Sequence, residues 1–270
     1  MNPKSIAILG GGNLGSSIAK GLVKSGLLPA NKITVTNLEL SMIQHLKDED
    51  GVNISTNNAE AVSNAEVVIV AVKPTAANAI LSDIRDVLHQ DKHVLISVIS
   101  GVKLEQLEAI VGEVPVIRAM PNTAIAIRES MTALSFNKSG ENYKDLVVNI
   151  FDQLGSTMII PESQMPAATV LASCGIAFAL RFMRAASQGG IEIGFNSQLS
   201  HQIAAQIMKG ASKLIIENGT HPEREIDKVT TPMGVTISAL NEMEHGGFSS
   251  SLIRGVVSGH NKIQDTEPNK

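Results

Sequence analysis

Ile6 to Leu22 reads IAILGGGNLGSSIAKGL. Four apolar residues suited to a strand run into three consecutive glycines, and a helical pattern follows Gly12. Gly10, Gly12 and Gly15 stand in G-x-G-x-x-G spacing. In a strand–turn–helix unit the first glycine permits the tight turn, and the second lets backbone approach a pyrophosphate. The third allows helix and strand to pack closely. Free N–H groups and the positive dipole end of the helix then hold the anion. The spacing predicts a dinucleotide site on Gly10, Gly12, Asn13, Leu14 and Gly15.

Outward from this turn, the first half alternates apolar runs with helical patterns. ITVT precedes a helix from about Glu39, VVIVAV precedes one from about Thr75, and VLISVI and VPVIRAM continue the series. Such alternation implies βαβ units with right-handed crossovers. The strands are rich in Val and Ile with little alternation, as in a sheet covered on both faces. Beyond Pro161 only helical patterns remain: Gln164 to Ile193, Gln198 to Glu217, Pro232 to Glu244 and Phe248 to Ile263. The expected fold is α/β, with a Rossmann-type doubly wound parallel sheet over residues 1–160. An all-helical domain, 161–270, would follow and bind substrate. AATVLASCGIAFAL, from Ala167 to Leu180, is small or apolar on every face. So small a domain cannot cover such a helix alone, which predicts a homodimer or higher homo-oligomer. QDTEPNK at the end reads as a loose tail.

Composition narrows the classes. The 270 residues are 43% hydrophobic and 18% charged, enough for a full core and against disorder. Net charge is −4, Lys and Arg form no runs, Trp is absent and Tyr occurs once. Neither nucleic acid nor an anionic membrane is expected as a partner. Cys174 is the only cysteine, so an internal disulfide and a cysteine zinc site are excluded, and it reads as a small buried apolar residue. His201, His221, His245 and His260 are too scattered to predict a metal. The uncharged stretch Ser163 to Leu180 contains Pro166, Thr169 and Ser173 and reads as a buried core helix, not a membrane span. With no signal-like start, the expected location is cytoplasmic.

The second strand ends at Asn37, where NAD sites place Asp or Glu and NADP sites a neutral residue with a basic neighbour. Asn37 is neutral, but Leu38 and Glu39 follow with no basic partner. NADPH is the expected cofactor and NADH the second candidate; the plain alternative makes Asn37 a turn residue.

Four further stretches complete an ordered set: AVKP (Ala71 to Pro74), IRAMPNTA (Ile117 to Ala124), VTTPMGVTISAL (Val229 to Leu240) and EHGGFSSSLI (Glu244 to Ile253). With the glycine turn, and over essentially the whole chain, they resemble the pyrroline-5-carboxylate reductase family. Members of that family reduce a cyclic imine to L-proline with NAD(P)H. The resemblance implies that Asn58 contacts the adenosine ribose. It places Ala71, Lys73 and Pro74 along the cofactor, with Met120 and Asn122 near the nicotinamide. It assigns the substrate carboxylate to Thr230, Thr231, Gly234 and Gly175, at a helix start where Pro232 would stand near N1. Thr236, about one turn on, would donate its hydroxyl to the imine nitrogen.

Departures cluster around the substrate. Met233 replaces the first of two glycines after the proline. ASCGIAF (Ala172 to Phe178) replaces a serine–glycine–serine–glycine–proline run followed by alanine and an aromatic. Ala124 replaces a proline. They keep open a divergent, non-enzymatic paralogue with a regulatory or binding role. A β-hydroxyacid-dehydrogenase-like enzyme is the other alternative, but it needs a lysine base in the first long helix. Leu171 to Gly194 offers only Arg181 and Arg184.

Overall fold

The computed structural model describes residues 2–266. Eight strands are present: β1 (Ile6–Leu9), β2 (Ile33–Thr36), β3 (Asn53–Ser55), β4 (Val67–Val70), β5 (Val94–Ser97), β6 (Val116–Met120), β7 (Ser130–Phe136) and β8 (Gly155–Ile159). Six helices join them: α1 (Asn13–Ser25), α2 (Gln44–Asp50), α3 (Asn58–Ser63), α4 (Pro74–Ile84), α5 (Leu104–Val111) and α6 (Lys144–Asp152). The remaining helices are α7 (Met165–Ala168), α8 (Gly175–Glu192), α9 (Ser197–Asn218), α10 (Pro222–Lys228), α11 (Val235–His245) and α12 (Phe248–Thr266). A π-helical segment, Thr169–Cys174, joins α7 to α8.

The sheet order is β3-β2-β1-β4-β5-β6-β7-β8, parallel from β3 to β6. β7 runs antiparallel to β6, and β8 parallel to β7. Alternate residues of each strand serve opposite faces. Ile6, Ile8, Ile33, Val67, Ile69 and Ile96 pack with Ile18 and Leu22 of α1 and Ile150 and Phe151 of α6. Ala7, Leu9, Val68, Val70 and Leu95 pack with Leu81 of α4 and Leu107 of α5. Both faces are covered, so every strand position is free to be apolar. The turn connecting β1 to α1 lies where the order reverses between β2 and β4, the usual ligand position at the carboxyl edge of such a sheet.

Two compact units divide at Cys174 and Gly175. Strands do end at Ile159, but the first unit carries on because Met165 and Ala168 pack with Met120 and Ala133. It also takes the chain back from Lys262. The helical unit, Gly175–Asn261, has little core of its own, and the buried residues of α8 and α9 are Ser187, Ser200 and Ala204. Ser163 to Leu180 is therefore not a core helix within one chain. The stretch Glu162–Glu192 is long and apolar enough to cross a membrane, and 17% of its apolar window is buried. Cys174 is exposed, because it ends the π-helical segment on an uncovered face. Of the expected tail, Gln264 to Thr266 continue α12, and residues 267–270 lie outside the described residues.

His93 illustrates how tightly the first unit is closed. It is fully buried, with Nδ1 accepting from the His89 amide at 2.9 Å and Nε2 against the Val62 carbonyl at 3.1 Å. An amide only donates, so Nε2 carries the proton and the ring is neutral. Burial pushes its pKa below the usual 6.5, with Lys92 and His89 adding to the effect. The unfolded chain therefore takes up a proton at a higher pH than the folded one. Stability from this site is complete above about pH 6.5 and declines as pH falls below it. Thermal midpoints of the parent should drop more steeply on acidification than those of His93→Gln; parallel slopes would refute this.

Candidate active site

The glycines of the turn are required for different reasons. Gly10 has φ +103°, and a Cβ there would stand 2.5 Å from the Ala71 carbonyl oxygen. A Cβ on Gly15 would stand 2.0 Å from the Gly10 carbonyl oxygen. Packing and backbone geometry dictate both. Gly12 differs: a Cβ there would meet no protein atom within 4 Å, and its φ of −76° suits any residue. What Gly12 keeps open is space above the turn, which fits a pyrophosphate.

Gly12 is also the N-cap of α1, so the amides of Asn13, Leu14 and Gly15 lack carbonyl partners within the helix. No acid lies in this first turn. Partial positive charge is thus left uncompensated beside the open space. Asn37 directly follows β2, which ends one residue earlier than expected, and Asn58 is the first residue of α3. Ala71 follows β4 and its amide donates to the Leu9 carbonyl at 2.8 Å. Lys73 is the exposed N-cap of α4 and Pro74 its first residue. These residues share the carboxyl edge of β1–β4.

Met120 ends β6 and Asn122 follows it, and both are largely enclosed, each 5% exposed. Met120 belongs to a small core with Ala133, Met165 and Ala168. The Asn122 side chain is occupied at both ends. Its Oδ1 accepts from the Ala124 amide at 2.9 Å, and its Nδ2 donates to the Ala172 carbonyl at 2.9 Å. Asn122 therefore holds the loop against the π-helical segment. Arg118 performs related work below it: Nη1 meets Glu162 Oε1 at 2.7 Å, and the same oxygen accepts the Leu104 amide at 2.6 Å. One carboxylate thus satisfies a buried guanidinium and the first amide of α5.

In the helical unit the expected helix start shifts. The Gly234 amide donates to the Thr231 carbonyl at 3.0 Å, closing a turn with Pro232 and Met233 at its centre. Met233 has φ +58° and is fully exposed. Proline followed by a positive-φ residue is the pattern of a type II turn, which favours glycine at Met233's position. A methionine there costs roughly 1 kcal/mol in backbone strain. Pro232 is accordingly outside the helix: α11 begins at Val235 with Gly234 as N-cap. Thr236 is then in the first turn, not one turn on. Its first turn carries no acid, and among the described residues no group accepts from or donates to the half-buried Thr236 hydroxyl.

Thr230 closes the preceding helix. Its Oγ1 donates to the Ile226 carbonyl at 2.7 Å, closing the end of α10, so its proton is engaged. Thr231 is exposed, and Gly234 leaves room for it: a Cβ there would stand 2.5 Å from Thr231 Oγ1. Gly175 opens α8, and a Cβ on it would meet nothing within 4 Å. The start of α11 thus carries the Thr236 hydroxyl, first-turn amides without carbonyl partners in the helix, and no acidic side chain.

An open glycine turn at the switch point of a parallel sheet, followed by a helical unit, is the architecture of a nicotinamide-nucleotide-dependent oxidoreductase. Pyrroline-5-carboxylate reductase 2 of Dictyostelium discoideum is 42% identical over 98% of this chain and 94% of its own. The chain belongs to the pyrroline-5-carboxylate reductase family. Residues 162–266 match the family model for pyrroline-5-carboxylate reductase dimerisation. Residues 5–101 match that for NADP oxidoreductase, coenzyme F420-dependent. Pyrroline-5-carboxylate reductase 1 of the same organism is 45% identical over 95% of this chain, which spans only 49% of that relative. Among solved structures, pyrroline carboxylate reductase of Plasmodium falciparum with NADP bound shares the fold. Its TM-score is 0.89 at 23% identity, over 99% of this chain and 100% of the other.

Proposed function

We propose that the protein reduces pyrroline-5-carboxylate to L-proline with NADPH. The observation that carries this reading is the unpartnered Thr236 hydroxyl in the charge-free first turn of α11. When bound, the reduced nucleotide supplies the hydride. The chain's own residues bind and orient. Amides of Asn13 to Gly15 face the pyrophosphate, with Gly12 leaving room for it. Thr231 and the amides from Val235 onward hold the substrate carboxylate without a cationic side chain, which leaves Thr236 to donate a hydrogen bond to the imine nitrogen. A cyclic imine becomes more electrophilic when its nitrogen is hydrogen-bonded, so one hydroxyl donor suffices. A lysine base, as a hydroxyacid dehydrogenase would need, is missing from α8.

The second part of the proposal is a homodimer or higher oligomer built on the helical unit. Leu180, Ile193, Ile216, Leu252 and Ile253 are all exposed there. An apolar groove of 860 Å³ is lined by Phe178, Phe182, Met243, Phe248 and Leu252. Surface of this kind seeks a partner, and the match to a dimerisation family favours a second copy. Adding pyrroline-5-carboxylate to protein and NADPH should consume NADPH, and sedimentation should give at least twice the chain mass. No consumption favours the non-enzymatic paralogue, and a stable monomer removes the assembly.

A further inference from the structure

We infer that Thr36 sets the preference between NADPH and NADH by holding the Asn58 side chain so that only N–H donors meet the adenosine end of the nucleotide. The inference rests on the proposed nucleotide site at the glycine turn. Thr36 is the last residue of β2, flanked by β1 and β3, and is 1% exposed. Its carbonyl accepts the amides of Gly10 at 3.1 Å and Gly11 at 2.8 Å. Its Oγ1 donates to Asn58 Oδ1 at 2.6 Å. The same residue therefore fixes the phosphate turn and a side chain far along the sequence.

With Oδ1 satisfied by a buried hydroxyl, Asn58 presents Nδ2, for which no protein acceptor exists among the described residues. Asn37 repeats the arrangement: its Oδ1 accepts from the Glu39 amide at 3.2 Å, and its Nδ2 is likewise without an acceptor. Both asparagines are half-buried at the carboxyl edge beside the turn. Each amide thus has its oxygen engaged by a protein donor and its N–H donors open. A 2′-phosphate is acceptor-only and matches this edge. A ribose 2′,3′-diol must also donate, and NAD sites answer it with a carboxylate. The acids nearest in sequence, Glu39 and Glu60, are exposed, and solvent screens them. Two oriented amides thus replace the basic side chain that sites for a 2′-phosphate usually carry.

Calorimetric dissociation constants for NADPH and NADH test this without reference to turnover. Thr36→Val keeps the shape and removes the hydroxyl, freeing the Asn58 amide to turn. It should weaken NADPH about tenfold and NADH by less than about twofold, while Thr36→Ser keeps the parent's preference. Asn58→Asp turns a donor into a charged acceptor and should abolish or invert the preference. Equal weakening of both nucleotides in Thr36→Val would reduce Thr36 to a packing role and overturn the inference. An unchanged preference in Asn58→Asp would overturn it even if Thr36→Val failed to fold. A parent that binds neither nucleotide defeats the nucleotide-site reading itself, and one that binds NADPH but fails the variant test defeats this inference alone.

Discussion

Gly12→Val should abolish nicotinamide nucleotide binding while leaving the fold intact. A valine at this position meets no protein atom near its Cβ, and the backbone is already in a region open to any residue. The cost to the fold is that of a poorer helix N-cap, about 1 kcal/mol. The cost to binding is much larger, since the side chain would fill the space through which the pyrophosphate reaches the first amides of α1. Losing two charge-assisted hydrogen bonds, at roughly 1.5–3 kcal/mol each, weakens affinity by about a hundredfold or more. Gly15→Ala should behave in the opposite sense. Its Cβ would press on the Gly10 carbonyl at 2.0 Å and force α1 away from β1. The melting temperature should fall, with a loss of about 1–3 kcal/mol. Thermal melts and nucleotide titrations of the two variants separate the roles; unchanged affinity in Gly12→Val would show that the nucleotide lies elsewhere.

Thr236→Ala should lower kcat by about a hundredfold and leave NADPH affinity unchanged. The substitution removes one hydroxyl that has no partner among the described residues, and alanine is a good helix former, so α11 should persist. If the hydroxyl polarises the imine, its loss falls on the chemical step. Thr236→Ser returns a donor on the same carbon and should recover most of the rate. Thr230→Val, by contrast, removes a bond to the Ile226 carbonyl and should show as lost stability of the α10 end, not as lost turnover. A Thr236→Ala enzyme turning over at the parent's rate would make Thr236 an ordinary helix residue.

The nucleotide half was readable because its signals are local. Strand, glycine turn, helix and second strand lie within Ile6 to Thr36, and each glycine has a steric or open-space reason nearby. β3, β7 and β8 escaped notice: β3 has three residues, and the β8 pattern is partly exposed with Gly155 and Ser156 inside. Thr36 left no trace in the sequence, because its partner Asn58 is 22 residues away and only the adjacency of β2 and β3 brings them together. Arg118 did leave one, as a charge inside an apolar strand, but Glu162 lies 44 residues on. The substrate helix was misplaced for a conformational reason: proline looked like N1, whereas positive φ at Met233 makes it part of a turn. The need to cover this stretch was legible as a pattern apolar on every face, and in the proposed assembly the covering surface comes from a second chain.

The central claim is that hydride passes from NADPH to the imine carbon of pyrroline-5-carboxylate, and an isotope reads this directly. NADPH deuterated on the transferring face of the nicotinamide would be incubated with the protein and pyrroline-5-carboxylate, and the product examined by mass spectrometry and NMR. The account predicts L-proline carrying one deuterium, on the ring carbon bonded to nitrogen that was the C=N carbon. Proline without that label, or no proline although NADPH binds, would contradict it.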